Sequence, residues 1–125
     1  MTQEDKQLLL VDFCARLPYG VIGLYTWKNK KSYNKELTGN LYDELKSSWN
    51  SSEDSQFLPY LRPMSSMTEE EKKELRDKNI LIAISTSGTV ETTIDGFDWL
   101  NKKMFDYRGL IEKGLALEAP EGMYK

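Results

Sequence analysis

The sequence predicts an α+β fold: one small domain over residues 1–125, with a compact antiparallel or mixed sheet packed by two to four helices. Three observations predict it. Segments of helical period, each opened by a capping residue, are interspersed with short apolar runs bounded by Gly, Pro and polar turns. A length of 125 residues supports one core and leaves little room for a second. The hydrophobic fraction of 39% and charged fraction of 30% belong to a folded chain, not a disordered one. The short strands of the first half admit a curled sheet or an SH3-like barrel, and strand order is left open.

The N-terminal helix starts at Thr2, whose short polar side chain can satisfy an orphaned N–H together with Asp5. Leu10, Phe13, Cys14 and Leu17 follow at helical spacing, and Pro18 and Gly20 stop the helix. Val21 to Trp27 is rich in β-formers on both faces and reads as a well-buried strand, with Gly23 marking a bulge or a close backbone approach. Lys28 to Asn34 is polar and turn-like. Between Ser32 and Leu45 two readings stand: a hairpin turned at Gly39-Asn40, or a helical turn carrying Leu41, Tyr42 and Leu45. Lys46 to Gln56 is the most loop-like run, with Trp49 alone inside it.

Phe57 to Met67 contains Pro59 and Pro63, which hold this piece extended. Thr68 followed by Glu69, Glu70 and Glu71 is the clearest local signal. Thr68 caps a helix, Glu71 completes a capping box, and the carboxylates complement the helix dipole. Ile80 to Ile84 is a continuous apolar run expected to form a central strand. Ser85 to Thr89 is a small-residue loop leading toward a helix capped by Asp95, with Phe97, Leu100 and Met104 on its inner face. Asp106 caps a further short turn or helix ended by Gly114, and the tail from Leu115 onward is extended and docks through its leucines.

Composition narrows the chemistry. No His is present, which removes the side chain best suited to proton transfer near neutral pH and the commonest transition-metal ligand. The glutamate run is accounted for by capping, so no catalytic, cofactor-binding or metal-ligating residue is assigned and no cofactor is expected. The 17 basic and 20 acidic residues give a net charge of −3, which supplies no footprint for a nucleic-acid backbone. The basic run Lys28, Lys30, Lys31 and Lys35 reads as a solvated loop. Cys14 is the single cysteine and is expected to be a buried thiol, so no internal disulfide argues for an oxidising compartment. Leu8 to Val11 is too short to span a bilayer, and acidic flanks disqualify it as a leader. A cytoplasmic location, away from membranes, is expected.

Two constellations are candidates for binding. The loop residues Ser85, Ser87, Gly88 and Thr89 could bring backbone amides and hydroxyls to an anion. The string ILIAISTSGTVET resembles the phosphate-contacting strand and loop of sugar isomerase domains. That resemblance implies a phosphosugar held by Ser85, Ser87 and Thr89, with Gly88 permitting the turn. Such a domain needs further parallel strands and crossovers, and the 36 residues after Thr89 show no second apolar strand. The other constellation is two Tyr/Arg pairs, Tyr60 with Arg62 and Tyr107 with Arg108. These residue types are enriched where proteins meet. The alternative is that each Arg stacks on a Tyr or pairs with an internal carboxylate such as Asp106.

Three blocks, DFCARLPYGV, PYLRPMSSMTEEEKKEL and DWLNKKMFDYRGLIEKGLALEAPEGMY, resemble a family of uncharacterised small proteins. That family recurs in gut Bacteroides-type bacteria and in their prophages and mobile elements. The resemblance implies a bacterial or phage-borne protein, and no functional residue carries over with it. The resulting expectation is a non-enzymatic interaction or accessory protein whose partner is another protein, with a small-anion binder as the alternative.

Overall fold

The structure, a computed structural model, describes residues 2–26, 32–51 and 56–124. The fold is α+β: four α-helices, a mixed four-stranded sheet and a separate two-stranded hairpin, among the described residues. Helix α1 (Gln3–Arg16) opens with the anticipated capping box, in which the Thr2 hydroxyl accepts from the Asp5 N–H and the Asp5 carboxylate from the Thr2 N–H. Strands β1 (Ile22–Thr26) and β2 (Tyr33–Glu36) are antiparallel. Helix α2 (Gly39–Ser51) follows, and β3 (Gln56–Leu61) returns antiparallel along the other side of β1. Gly23 permits that pairing, because a Cβ there would meet the Phe57 ring at 2.4 Å and the Leu58 carbonyl at 2.7 Å.

Helix α3 (Glu69–Asp77) carries the predicted Thr68–Glu71 capping box. The hairpin β4 (Ala83–Ile84) and β5 (Val90–Glu91) precedes α4 (Ile94–Lys102). The chain then turns back, and β6 (Leu117–Glu118) lies parallel to β3, giving the order β2-β1-β3-β6. Arg62 extends β3 by bridging Phe105, with its N–H donating to the Met104 carbonyl at 2.7 Å and its carbonyl accepting from Asp106 at 2.8 Å.

Two apolar clusters form. The larger joins Leu9 and Phe13 of α1, Tyr25 of β1, Leu41 and Leu45 of α2, and Phe57 and Leu61 of β3 to Leu110 and Leu115. The smaller groups Leu75, Trp99, Leu100 and Phe105, with Ile80, Ile82 and Val90 packed against it. No helix among the described residues is long and apolar enough to cross a membrane.

Several local expectations are corrected. The run Ile80 to Ile84 is not a buried central strand: only Ala83–Ile84 pairs, in the peripheral hairpin, and Leu81 is 85% exposed. Apolar continuity marks burial on both faces only when both faces are covered, and here just Ile80 and Ile82 find a partner cluster. The loop Ser85 to Thr89 therefore turns a hairpin instead of joining a strand to a helix. Thr93, not Asp95, caps α4, its hydroxyl accepting from the Gly96 N–H.

Cys14 is exposed. The inward face of α1 is Leu9, Asp12, Phe13 and Arg16, because a buried ion pair admits two charged residues to it and turns Cys14 outward. In the ambiguous stretch the helical reading holds for Leu41, Tyr42 and Leu45, and α2 continues through most of the run expected to be a loop. The Trp49 side chain, and Lys28, Lys30 and Lys31, lie outside the described residues.

Candidate functional site

Asp106 builds one wall of the candidate site. Its carboxylate oxygens accept the N–H groups of Leu110 at 2.8 Å and Ile111 at 3.0 Å, which folds the segment after it into a tight turn. Gly109 supports that turn at φ +72°, a left-handed conformation that favours glycine. The β4–β5 turn lines the same site. There the Ser85 N–H donates to the Thr89 carbonyl at 2.9 Å, and Gly88 adopts φ +87°. The hydroxyls form a chain, Ser85 Oγ to Ser87 Oγ at 2.9 Å and Ser87 Oγ to Thr89 Oγ1 at 3.3 Å. Both segments line an open cleft of about 670 Å³, together with Pro63, Met64 and Ser65.

Behind the cleft is a buried charge cluster. Arg16 and Asp12 are both fully buried, and Arg16 Nε donates to the two Asp12 oxygens at 3.1 and 3.0 Å. Arg16 Nη2 donates to the Phe105 carbonyl at 2.6 Å, while Nη1 has no hydrogen-bond partner among the described residues. Arg108 reaches the same carboxylate, Nε to Asp12 Oδ1 at 3.2 Å. The two guanidinium carbons lie 5.4 Å (Arg16) and 4.6 Å (Arg108) from the centre of the Tyr107 ring. Burial pushes the Asp12 carboxyl above its ordinary range, and the two arginines pull against that shift.

The structure brings five of the eight sequence candidates to one cleft and places the other three elsewhere. Ser87, Gly88 and Thr89 line the cleft together with Tyr107 and Arg108. Ser85 lies in the turn, its hydroxyl accepting from the Thr89 N–H at 3.1 Å. Tyr60 sits at the sheet, where its hydroxyl donates to Asn34 Oδ1 at 2.9 Å. Arg62 is closed by Glu71 through hydrogen bonds of 2.7 and 2.6 Å and covers the Phe105 ring at 4.2 Å. Tyr107 donates its hydroxyl to Asn101 Oδ1 at 2.9 Å.

Ile84, Ile111 and Lys113 also line the cleft, and sequence reasoning singled out none of the three for binding. Nothing local marks Lys113. The opposite charges of Asp12 and Arg16, one helical turn apart beside an apolar stripe, were a usable signal for the cluster behind it.

A second hollow of about 390 Å³ is lined by Glu74, Asp95, Asp98 and three lysines around Trp99. Part of this lining is internally paired: Glu74 accepts from the Trp99 indole and lies 3.7 Å from Lys103 Nζ. Among the described residues, no group of three or more His, Cys, Asp or Glu side chains is placed to hold a metal ion. No family model, curated protein or solved structure matches this chain.

Proposed function

We propose that this is a non-enzymatic interaction protein that docks a partner polypeptide on the β4–β5 hairpin and the adjoining cleft. One observation carries the reading. Apolar side chains on and beside the β4–β5 hairpin are left in solvent: Leu81 is 85% exposed, Ile84 56%, and Ile94, at the start of α4, 81%, while Ile80 and Ile82 pack against the smaller cluster. Large apolar side chains exposed on and beside one hairpin favour association over solitary life in water. A two-stranded ladder of two residues per strand is also marginal by itself, and a partner laid against it adds burial. The resemblance to small proteins of Bacteroides-type bacteria and mobile elements supports an accessory role in such a genome. A cytoplasmic site of action belongs to the same proposal, supported by the single cysteine.

The test places a photo-crosslinking side chain at Ile84 and, as a control, at Lys46 on the exposed part of α2. A defined polypeptide adduct at residue 84 alone, abolished by Leu81→Lys, is expected. Equal labelling at both positions, or none at residue 84, overturns the proposal.

A second reading has its own support. Ser87, Thr89 and Arg108 converge on one cleft, which suits a small anion such as a phosphosugar. Thermal melts with sugar phosphates test it, since a ligand at one hundred times its dissociation constant adds about 2.7 kcal/mol of stability. Flat melts remove it.

A further inference from the structure

We infer that the occupant of the cleft is a partner peptide carrying an Asp or Glu side chain beside an aliphatic one, with the carboxylate seated on Arg108. The inference rests on the interaction reading above and names the chemistry of the partner.

Two partly exposed arginines are backed by aromatic rings, and they differ in one respect. Arg62 lies over Phe105, and both of its terminal nitrogens are taken by the Glu71 carboxylate. Arg108 lies over Tyr107 and is anchored through Nε to Asp12, but its two terminal nitrogens have no hydrogen-bond partner among the described residues. Its side chain is 19% exposed, as is that of Arg62. Anchoring and stacking fix the guanidinium plane, so a carboxylate that pairs with it bidentately immobilises little further. Arg62 shows within this same molecule what a filled fork looks like. Arg108 presents the fork open.

The remaining lining completes the specificity. Lys113 stands in the same cleft with no ion pair among the described residues. Of the two carboxylates that line it among the described residues, Asp106 has both oxygens occupied by backbone N–H groups, which leaves the exposed Glu112 as the acidic competitor. Ile84, Val90 and Ile111 supply an apolar strip beside these cations. An acidic side chain next to an aliphatic one satisfies both parts, whereas a bare inorganic anion leaves the strip in water.

The experiment is a selection of random peptides on the wild-type protein, followed by titration of the best peptide and of its Gln or Asn counterpart. Titrations are followed by the amide resonances of Ser87, Gly88 and Gly109. Enriched peptides should carry Asp or Glu beside Leu, Ile or Val. The neutral counterpart and the Arg108→Lys variant should each weaken binding about tenfold, the loss of one charge-assisted hydrogen bond. Lys113→Glu, at an exposed residue with no described partner, should weaken binding without lowering the melting temperature, which covers the case in which Arg108→Lys unfolds.

If enriched peptides are apolar without acid, and binding depends on Ile84 but not on Arg108, this inference fails while the interaction reading survives. If nothing enriches, both fail. If inorganic phosphate displaces the peptide at comparable concentration, the site belongs to small anions and the inference is overturned.

Discussion

Arg62 Nη1 and Nη2 donate to Glu71 Oε2 and Oε1 at 2.7 and 2.6 Å, so the end of β3 is tied to the first turn of α3 by a two-pronged fork. The same Glu71 caps its own helix by accepting the Thr68 N–H at 3.0 Å. Hydrogen bonding from Arg62, aided by that cap, holds the Glu71 carboxyl at about 2, against an ordinary 4.5. Because the folded value is the lower one, the stabilisation is present above pH 4.5 and is lost as pH falls through 2. Acid titration of the wild type should show this loss, and Arg62→Ala should flatten it. Denaturant melts at neutral pH should show Arg62→Ala costing about 2 kcal/mol, the scale of a charged hydrogen-bond pair.

Asp12 answers two arginines at once, and removing it strands them. Asp12→Ala leaves the fully buried Arg16 without its ion partner and should cost about 3–5 kcal/mol in urea unfolding. A cost below about 1 kcal/mol, the scale of a surface pair, would contradict the burial described.

The exposed hairpin gives a contrast within the apolar residues. Leu81→Ala should change stability by less than about 0.5 kcal/mol, as surface substitutions do. Leu61→Ala, at a fully buried site of β3, should cost about 2–5 kcal/mol. Denaturant midpoints of both variants measure the difference, and equal losses would restore the buried-strand reading of Ile80 to Ile84.

Tyr124 closes the C-terminal segment onto the sheet. Its hydroxyl accepts the Ile22 N–H at 2.8 Å and lies 2.8 Å from the Tyr60 carbonyl, to which it can donate. Burial raises its pKa to about 12 from 10.0. The folded value being the higher, this contribution is present below pH 10 and is lost as pH rises through 12. Tyr124→Phe should lower stability by about 1–3 kcal/mol at neutral pH by leaving the Ile22 N–H unpaired. Melting curves between neutral and strongly alkaline pH should show the variant without that alkaline loss.

Gly23→Ala puts a methyl group against the Phe57 ring and the Leu58 carbonyl. Overpacking of this kind costs about 1–3 kcal/mol. A thermal melt with an unchanged midpoint would mean that β1 and β3 pair less closely than described.

Short-range punctuation was legible in the residues themselves. The Thr2 and Thr68 capping boxes, the stop at Pro18 and Gly20, the extended prolines and the Asp106 turn all depend on interactions within a few residues, so neighbours in sequence suffice to predict them. The close approach at Gly23 was legible from the residue type alone, although what approaches, Phe57 and Leu58, lies on another strand. The α+β class followed from those elements.

Which apolar face finds a partner is a long-range matter, and there the sequence alone misled. Ile80 to Ile84 has the composition of a buried strand, but only tertiary packing decides that Leu81 and Ile84 stay in solvent. Cys14 faces outward because Arg16 is held inside by Phe105, 89 residues away in the chain. The cleft is of the same kind: Ser87 and Arg108 are separated by α4, and the turn of the chain after that helix brings both to one cleft. The sequence by itself determined the capped helices, the turns and the residue types able to bind. Tertiary structure alone decided that Arg62 is spent on Glu71 while Arg108 keeps an open edge, because the carboxylate that reaches each guanidinium depends on how the fold sets its element against its neighbours, nine residues on for Arg62 and 96 residues back for Arg108.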